Sequence, residues 1–293
     1  MTTPRGLRRL EPFAYLLPTI IGLVLFSAGA VGGSLLLSFT RWDMVSPPEW
    51  IWLANYAGLL HSALFWEVVR TTFLFVLLAV PLSVLCSLAL ALLVDTQTAG
   101  IGLFRTAYFL PVVSSMIAVA LVWSWILNPE YGLLNYLLRA LGGIQGPAWL
   151  DDTFWALPAL VLVTVWKGLG YSMVIFLAGL QNIPQELYDA ATIDGAGAWR
   201  KFSRITLPML SPTMFFVLVI TLINAFQVFE QTYVLTKGGP ANATLTLSYY
   251  IYQNAFQYFQ MGKAAATSYV LFAIIFGVTL FQFRIQKRWV FHA

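Results

Sequence analysis

Three amide side chains near the end of a long apolar run are the residues of this sequence best placed to bind a solute. Asn224, Gln227 and Gln231 recur at positions i, i+3 and i+7, so on a helix they share one face. Amide hydrogen bonds and neighbouring aromatic surfaces suit a neutral hydroxylated solute in a water-accessible cavity. The predicted solute pathway comprises Lys167, Tyr171, Asn224, Gln227, Glu230, Gln231 and Tyr233.

The same amides could instead join neighbouring helices, since Asn and Gln form interhelical hydrogen bonds in membranes, each worth about 0.6–2 kcal/mol. For the group as a whole, the sequence supports these two roles about equally. Lys167 lies near the middle of another apolar run, where a charge costs about 2.5–3.5 kcal/mol. It could pair with Glu230 or with a partner chain, and the sequence does not distinguish the two.

Catalytic chemistry by this chain has no support in the sequence. The two histidines, His61 and His292, are far apart in the chain, so no histidine-rich metal site is expected. The stretch Met261-Gly262-Lys263-Ala264 lacks the glycine frame and the hydroxyl of a nucleotide-binding loop. Neither a Gly-x-Ser-x-Gly nor a His-Glu-x-x-His motif occurs. We therefore expect no cofactor or metal in this chain and no hydrolysis of nucleotide by it.

The composition is that of an integral membrane protein. Only 10% of the 293 residues are charged and 59% are hydrophobic, whereas a soluble domain usually carries about 25% charged residues. Crossing roughly 30 Å of hydrocarbon takes about 20 apolar residues. The predicted spans are 13–39, 69–94, 104–127, 155–180, 209–230 and 264–283, in one membrane domain covering 1–293. The sequence thus predicts an all-α fold with six transmembrane helices.

Lys and Arg residues set the expected orientation, since they are more frequent in cytoplasmic segments. With a cytoplasmic N-terminus, the inside segments carry Arg5, Arg8, Arg9, Arg105, Arg200, Lys201, Arg204, Arg284, Lys287 and Arg288. The outside segments carry half as many, namely Arg41, Arg70, Arg139, Lys237 and Lys263. Ala28-Gly29-Ala30, within the first apolar run, resembles a signal-peptidase site. The run continues beyond that site to Phe39, so we interpret the whole run as a retained helix. Both termini and segment 182–208 are therefore predicted to be cytoplasmic.

Segment 182–208 is a polar interruption between two apolar runs, and its pattern indicates two short helices around a glycine. Asn182 and Pro184 suit the start of the first helix, and Gly195 permits a turn with positive φ. Small alanines beside Asp189 and Asp194 allow close approach of a partner and leave carboxylates for its arginines. A helix lying on lipid headgroups would favour a basic polar face instead. We therefore expect this segment to dock on another protein.

The order of residues in this segment resembles a known signature. Asp189-Ala190-Ala191-Thr192-Ile193-Asp194-Gly195-Ala196, followed by Phe202, Ile205 and Leu207-Pro208, is similar to the E-A-A motif of permease subunits of binding-protein-dependent ABC importers. Asp189 stands where that family most often has Glu, which keeps the charge on a side chain one methylene shorter. The resemblance implies that the residues coupled to the ATPase are Glu186, Asp189, Ala190, Ala191, Asp194, Gly195, Ala196 and Phe202.

A second stretch is similar to the carbohydrate-uptake branch of that family, the relatives of the maltose and glycerol-3-phosphate permeases. It runs from Tyr233 to Pro240 and continues through Thr244-Leu245-Thr246-Leu247 and Tyr249-Tyr250-Ile251-Tyr252. The resemblance implies the type I importer permease fold, a prokaryotic inner-membrane location, and a sugar or related polyol as cargo. It also implies a second homologous permease, two cytoplasmic ATPase copies that bind ATP and magnesium, and an external solute-binding protein as partners, with no nucleic acid.

Three other interpretations are consistent with parts of the sequence. A permease for glycerol-3-phosphate or glycerophosphodiesters would need a cationic lining. Lys167 alone gives little support for such a lining, and the negative charge of Glu230 argues against it. A stand-alone secondary transporter would work without an ATPase and usually has internal repeats, of which the sequence shows none clearly. A structural scaffold would not need the polar face around Asn224.

Overall fold

The computed structural model of the protein describes residues 7–95 and 101–290, with side chains from residue 15 onward except at residue 101. Arg5 and His292 lie outside the described residues. The α-helices are α1 (Leu7–Gly22), α2 (Gly29–Ser38), α3 (Ala54–His61), α4 (Ala63–Val94), α5 (Ile101–Val113), α6 (Met116–Ile126), α7 (Leu133–Gly142), α8 (Ala156–Gln181), α9 (Gln185–Ile193), α10 (Ala198–Lys201), α11 (Leu207–Phe226), α12 (Leu247–Tyr252) and α13 (Met261–Gln286). The π-helical turns are Leu23–Ala28, Phe202–Thr206, Thr232–Thr236 and Gln253–Gln257. The strands β1 (Thr40–Arg41) and β2 (Glu49–Trp50) form one antiparallel pair.

Apolar helices long enough to cross a bilayer make up most of the described chain. Five are continuous helical stretches: Tyr15–Ser38, Ala63–Val94, Ala156–Gln181, Ala198–Phe226 and Met261–Gln286. A sixth segment is the pair Gly102–Val113 and Met116–Ile126, whose axes are bent by 103°. Helices suit a bilayer because their backbone polar groups are satisfied within the segment. The expectation of an all-α membrane fold is therefore confirmed, with departures in the third and fifth predicted spans.

The third predicted span, 104–127, is a broken helix. Pro111 lies inside α5, where it lacks the N–H group that would continue the hydrogen-bond ladder. Two residues after the proline α5 ends at Val113, and Ser115 takes the extended-type ψ of 135° before α6 begins. The span therefore changes direction near its middle, and the carbonyl groups at the end of α5 need other partners.

The fifth predicted span, 209–230, ends as a helix at Phe226, and two downstream side chains bond carbonyl groups at and just after this end. The Ser248 hydroxyl donates to the Phe226 carbonyl at 3.4 Å, and the Thr246 hydroxyl donates to the Val228 carbonyl at 3.0 Å. Gln227 leaves helical geometry at φ −93° and ψ 12°. The residues after Phe226 therefore do not continue the face of α11.

The first of two compact units comprises Met1–Ser62 and Ile251–Val270, and its described part is organised around the end of α2. The Asn55 side-chain amide donates to the carbonyl groups of Ser38 and Thr40 at 2.8 and 2.9 Å. The backbone of Gly262 lies against Thr40, where a β-carbon would be 1.8 Å from the Thr40 carbonyl oxygen. Only glycine fits at that contact, so it fixes the start of α13 beside β1.

The second compact unit comprises Ala63–Tyr250 and Leu271–Ala293, and it contains the long helices α4, α8 and α11. Each contributes fully buried side chains to the core, among them Phe75, Leu160, Phe176 and Leu210. Small residues allow close helix approach, as is common in membrane bundles. A β-carbon at Gly170 of α8 would lie 2.2 Å from a backbone oxygen of α5, so the two backbones touch there. This packing leaves a cavity between the helices.

Candidate functional site

Four helices of the second unit, α4, α5, α8 and α11, contribute to the walls of a cavity of about 270 Å³. Its lining residues are Ala79, Ser83, Val112, Thr164, Lys167, Gly168, Tyr171, Ser172, Ile220, Thr221, Asn224, Ala225 and Gln231. Among these, hydroxyl and amide side chains supply most of the polar groups, and Lys167 is the one charged residue. Hydroxyl and amide groups both donate and accept hydrogen bonds, which suits a hydroxylated solute.

The ammonium group of Lys167 bonds backbone carbonyl groups at the break in the third span. Its Nζ atom lies 3.1 Å from the Pro111 carbonyl oxygen, 2.8 Å from that of Ser114 and 3.5 Å from that of Val112. A cation at the C-terminal end of a helix also interacts favourably with the helix dipole. The suggested pairing of Lys167 with Glu230 is therefore wrong, because these carbonyl groups are the partners of the ammonium group.

Four of the predicted pathway residues line this cavity: Lys167, Tyr171, Asn224 and Gln231. Gln227, Glu230 and Tyr233 lie outside its lining, and the Tyr233 ring stacks on Phe229 at 5.6 Å. The interpretation that Asn224, Gln227 and Gln231 share one helical face is wrong, since α11 ends at Phe226. Asn224 and Gln231 reach the same cavity from a helix and from the turn that follows it. A role for the three outlying residues stays a prediction.

The serine and threonine residues of the cavity were not predicted from the sequence. They are Ser83 on α4, Thr164 and Ser172 on α8, and Thr221 on α11. A signal was available, since Thr164, Lys167 and Tyr171 recur at i, i+3 and i+7 and so share one face of α8. Thr221 and Asn224 repeat the i, i+3 spacing on α11. A polar stripe on two neighbouring apolar helices thus marks the cavity better than the amides of one helix.

Segment 182–208 contains two short helices around Gly195, as predicted. The first helix, α9, closes with a pair of backbone bonds: Ala196 N–H donates to the Ala191 carbonyl at 2.8 Å, and Gly195 N–H donates to the Thr192 carbonyl at 3.0 Å. This is the Schellman arrangement, which needs a left-handed residue at the position of Gly195. Gly195 has φ +70°, so its predicted positive φ is confirmed.

The start of α9 differs from the prediction. Asn182 follows the last residue of α8 as its C-terminal cap and does not cap α9, whose first residue is Gln185. Pro184 occupies the position before it, without a side-chain capping bond. Only three residues, 182–184, separate α8 from α9, and Ile183 among them is buried. A link of three residues therefore connects α9 to α8, the helix that carries Lys167.

No residue of α9 is buried within the described structure. Glu186, Asp189 and Asp194 are exposed, and within the described residues no ion pair holds any of their carboxylates. Two large apolar side chains of the segment are also uncovered: Ile193 is 88% exposed and Trp199 is 77% exposed. Exposed apolar side chains among acidic residues are typical of a docking surface for a protein partner.

Side-chain bonds brace the two short helices against each other. The Lys201 ammonium group donates to the Thr192 hydroxyl at 2.7 Å, and the hydroxyl groups of Tyr188 and Thr206 lie 2.9 Å apart. Among the other residues of the segment that the E-A-A resemblance singled out, Ala190 is exposed, whereas Ala191, Ala196 and Phe202 are half-buried. Phe202 packs on Trp199 at 5.7 Å between ring centres. The segment is therefore a folded body with an uncovered face.

A second polar pocket of about 950 Å³ lies where α4, α5, α8 and α9 meet. The Arg105 guanidinium donates to the Val94 carbonyl at 3.0 Å on its wall. Burial raises the pKa of the Asp95 carboxyl above its usual value, and the positive charge of Arg105 opposes that rise. Asp95 and Tyr188 line the same pocket, so it extends from the end of α4 to α9.

Membrane-length helices, a polar cavity among them and an uncovered folded segment directly linked to a cavity helix define a polytopic membrane transport protein. Residues 51–290 match the family described as binding-protein-dependent transport system inner membrane component. The chain belongs to this family, so it is an inner-membrane transport component.

Similar proteins extend over nearly the whole chain. The probable ABC transporter permease protein YesP of Bacillus subtilis is 38% identical over 296 residues, covering 99% of this chain and 95% of that protein. The sulfoquinovosyl glycerol transport system permease protein SmoG of Agrobacterium fabrum is 35% identical over 281 residues, covering 95% and 91%. A chain of the bacterial alginate ABC transporter, solved in complex with alginate pentasaccharide-bound periplasmic protein, matches with a TM-score of 0.84 and 25% identity, covering 96% and 95%.

Proposed function

We propose that this chain is a permease subunit of an ATP-driven importer and that its cavity admits a neutral sugar or polyol. The observation that carries the proposal is the cavity among α4, α5, α8 and α11, with its hydroxyl and amide lining. The similarity to SmoG and to the alginate transporter supports a carbohydrate as the class of solute. On this proposal, Tyr171 offers a ring to the apolar face of a sugar, and Asn224 and Gln231 bond its hydroxyl groups.

The proposed solute is neutral, although the alginate of the similar transporter is an acidic polysaccharide. Lys167 is the one cation of the cavity lining, and its ammonium group already bonds carbonyl oxygens of Pro111 and Ser114. An ammonium group has three hydrogens to donate, and the three nearby carbonyl groups use them. A phosphate or carboxylate would therefore have to displace these carbonyl groups in order to bond Lys167, which favours a neutral solute over glycerol-3-phosphate.

The proposed energy source is a partner ATPase that docks on segment 182–208. Exposed carboxylates at Glu186, Asp189 and Asp194 are suited to arginines of that partner, and Ile193 and Trp199 to an apolar cleft. ATP and magnesium then bind in the partner, and this chain carries out no catalysis. The proposed complete importer has a second homologous permease, two ATPase copies and an external solute-binding protein, with both termini of this chain in the cytoplasm.

Reconstitution tests the proposal directly. The chain, purified with the subunits that co-purify with it, is placed in proteoliposomes with the solute-binding protein outside and ATP inside. We expect ATP-dependent uptake of radiolabelled lactose or maltose and none of sn-glycerol-3-phosphate. Uptake that needs an ion gradient and no ATP would indicate a secondary transporter. ATP-dependent uptake of sn-glycerol-3-phosphate without either sugar would contradict the neutral solute and leave the importer class intact.

A further inference from the structure

The break in the third span leaves backbone carbonyl groups that are bonded partly by Ser114 and partly by a residue of another helix. The last four carbonyl groups of an α-helix have no partner within it, and in α5 these belong to residues 110–113. The Ser114 hydroxyl donates to the Leu110 carbonyl at 3.2 Å, and Lys167 of α8 donates to the carbonyl groups of Pro111, Val112 and Ser114. An unsatisfied carbonyl group in the hydrocarbon region costs several kcal/mol. Lys167 bonds two of the last four carbonyl groups of α5, and also that of Ser114, and so stabilises the break.

A second contact joins α5 to α8 one helical turn away. The backbone of Gly170 touches Tyr108, since a β-carbon on Gly170 would lie 2.2 Å from the Tyr108 carbonyl oxygen and 2.9 Å from the α-carbon of Phe109. Lys167 and Gly170 are three residues apart and so face the same side of α8. The end of α5 is thus held to α8 both by hydrogen bonds and by direct backbone packing.

The helix that receives both contacts is also the helix that leads to the docking segment. α8 ends at Gln181 and α9 begins at Gln185, so a displacement of α9 acts on α8 through three residues. α6 lies beyond the break at Ser114 and Ser115 and makes a 103° angle with α5. Val112, just before the break, forms part of the cavity wall. The position of that wall therefore depends on how α5 is held to α8.

We propose that Lys167 is a positioning residue that joins α5 to α8, so that both helices move as one body with α9. The break at Ser114 and Ser115 is then the pivot about which α6 changes its angle to α5. This inference rests on the proposed coupling through segment 182–208. On this proposal, the Lys167 charge holds two helices of the transport path in position and does not bind the solute, because its ammonium hydrogens are donated to backbone carbonyl groups.

Distances between spin labels test the proposal in the full complex. One label pair, at Leu103 of α5 and Val174 of α8, reports on the joined helices, and a second, at Leu103 and Leu121 of α6, reports on the pivot. All three side chains are exposed, and the native Cys86 is first replaced by serine. Electron–electron double resonance then compares nucleotide-free and vanadate-trapped complexes. We expect the α5–α8 distance to stay constant and the α5–α6 distance to change.

Substitutions of Lys167 test its part in this arrangement. In Lys167→Met we expect the narrow α5–α8 distance distribution to broaden, with the ratio of joined to separated forms falling roughly tenfold for each charge-assisted hydrogen bond lost. Lys167→Arg should restore one narrow distribution, because a guanidinium also donates to carbonyl groups. Lys167→Gln keeps hydrogen-bond donors without the charge, so its distance distribution should be intermediate in width. It replaces the methionine variant if that variant fails to fold. Leu162→Met, on the exposed side of α8, is the matched control.

Three results would overturn the proposal. The first is an unchanged α5–α8 distribution in both Lys167→Met and Lys167→Gln. The second is an α5–α8 distance that shifts on vanadate trapping in the wild type. The third is a constant α5–α6 distance across the two states. The substitution experiment is measured without nucleotide, so it remains decisive if no ATPase co-purifies. The absence of an ATPase would count against the proposed function and not against the role of Lys167.

Discussion

The cavity and segment 182–208 belong to the same compact unit and contrast in almost every physical respect. The cavity is lined by hydroxyl and amide groups, and its one charged side chain bonds backbone oxygens. Segment 182–208 has an uncovered face, with the carboxylates of Asp189 and Asp194 beside the apolar side chain of Ile193. A region that must release a solute cannot hold it with strong charges, whereas a docking surface needs strong complementary contacts. The contrast indicates that substitutions in the two regions should alter different steps of transport.

The largest effect is expected where the cavity helices touch. Gly170→Val places side-chain atoms where the backbone of Tyr108 lies, so α5 and α8 must separate. Overpacking of this kind costs about 1–3 kcal/mol or more. We expect a fall of several degrees in the thermal midpoint of the purified complex, measured by scanning fluorimetry. Gly277→Val on α13, where a β-carbon meets nothing within 4 Å, is the control. An equal fall in the thermal midpoint of both variants would mean that the α5–α8 contact contributes no more to stability than the surroundings of Gly277.

A smaller loss of stability but a specific loss of coupling is expected at Gly195. Its φ of +70° is unfavourable for a β-branched residue by about 1–2 kcal/mol, so Gly195→Val should open the end of α9. We expect roughly tenfold weaker retention of the ATPase during purification and a matching loss of uptake, with membrane insertion intact. Gly197→Ala serves as the control, because Gly197 has a φ of −70° and open space around it. Full uptake by the Gly195 variant would contradict the role given to the segment.

In the cavity, Asn224→Leu removes an amide from the lining without changing charge. We expect the solute concentration for half-maximal uptake to rise roughly tenfold, as the loss of one hydrogen bond to a solute predicts. ATPase retention should be unchanged. Gln227→Leu removes the same amide chemistry three residues later, outside the cavity lining. If Gln227→Leu raised the half-maximal concentration more than Asn224→Leu did, the solute path would lie elsewhere.

The smallest effect concerns the polar pocket beside α9. The folded state raises the pKa of Asp95, so between its unfolded and folded pKa values the folded protein binds more protons than the unfolded chain. Its contribution to stability is therefore most favourable at low pH and is lost as pH rises through the folded pKa. Asp95→Asn should give a small rise in thermal midpoint at neutral pH and none in acid. Asp151→Asn, which removes an exposed carboxylate before α8, is the matched control in both conditions.

The sequence predicted the features that local chemistry decides. Apolar length gave the membrane helices, and the positive φ of Gly195 followed from the need for a residue without a β-carbon at a helix end. The charged segment 182–208 was recognised as a folded surface because its pattern of small and acidic residues is unlike a lipid-bound helix. These are effects of neighbouring residues in the chain.

Which proline breaks its helix could not be predicted from the sequence, because this depends on distant partners. Pro81 lies inside the continuous helix α4, whereas Pro111 lies just before the break at Ser114. Lys167, more than fifty positions further on, supplies donors to the carbonyl groups near Pro111 and has no counterpart at Pro81 among the described residues. Carbonyl groups at and just after the end of α11 likewise accept hydrogen bonds from Thr246 and Ser248, well downstream. The wrong assignment of Gln227 to the face of Asn224 follows from that same missing information.

Parallel measurement of ATP hydrolysis and sugar uptake in proteoliposomes tests the separation of the two regions most directly. The wild type, Asn224→Leu and Gly195→Val are compared over a range of lactose or maltose concentrations. We expect Asn224→Leu to raise the half-maximal sugar concentration at an unchanged ratio of ATP hydrolysed to sugar transported. We expect Gly195→Val to lower uptake at every sugar concentration without changing the half-maximal value. A change of the same parameter in both variants, or uptake that continued without ATP, would contradict the separate roles of the two regions.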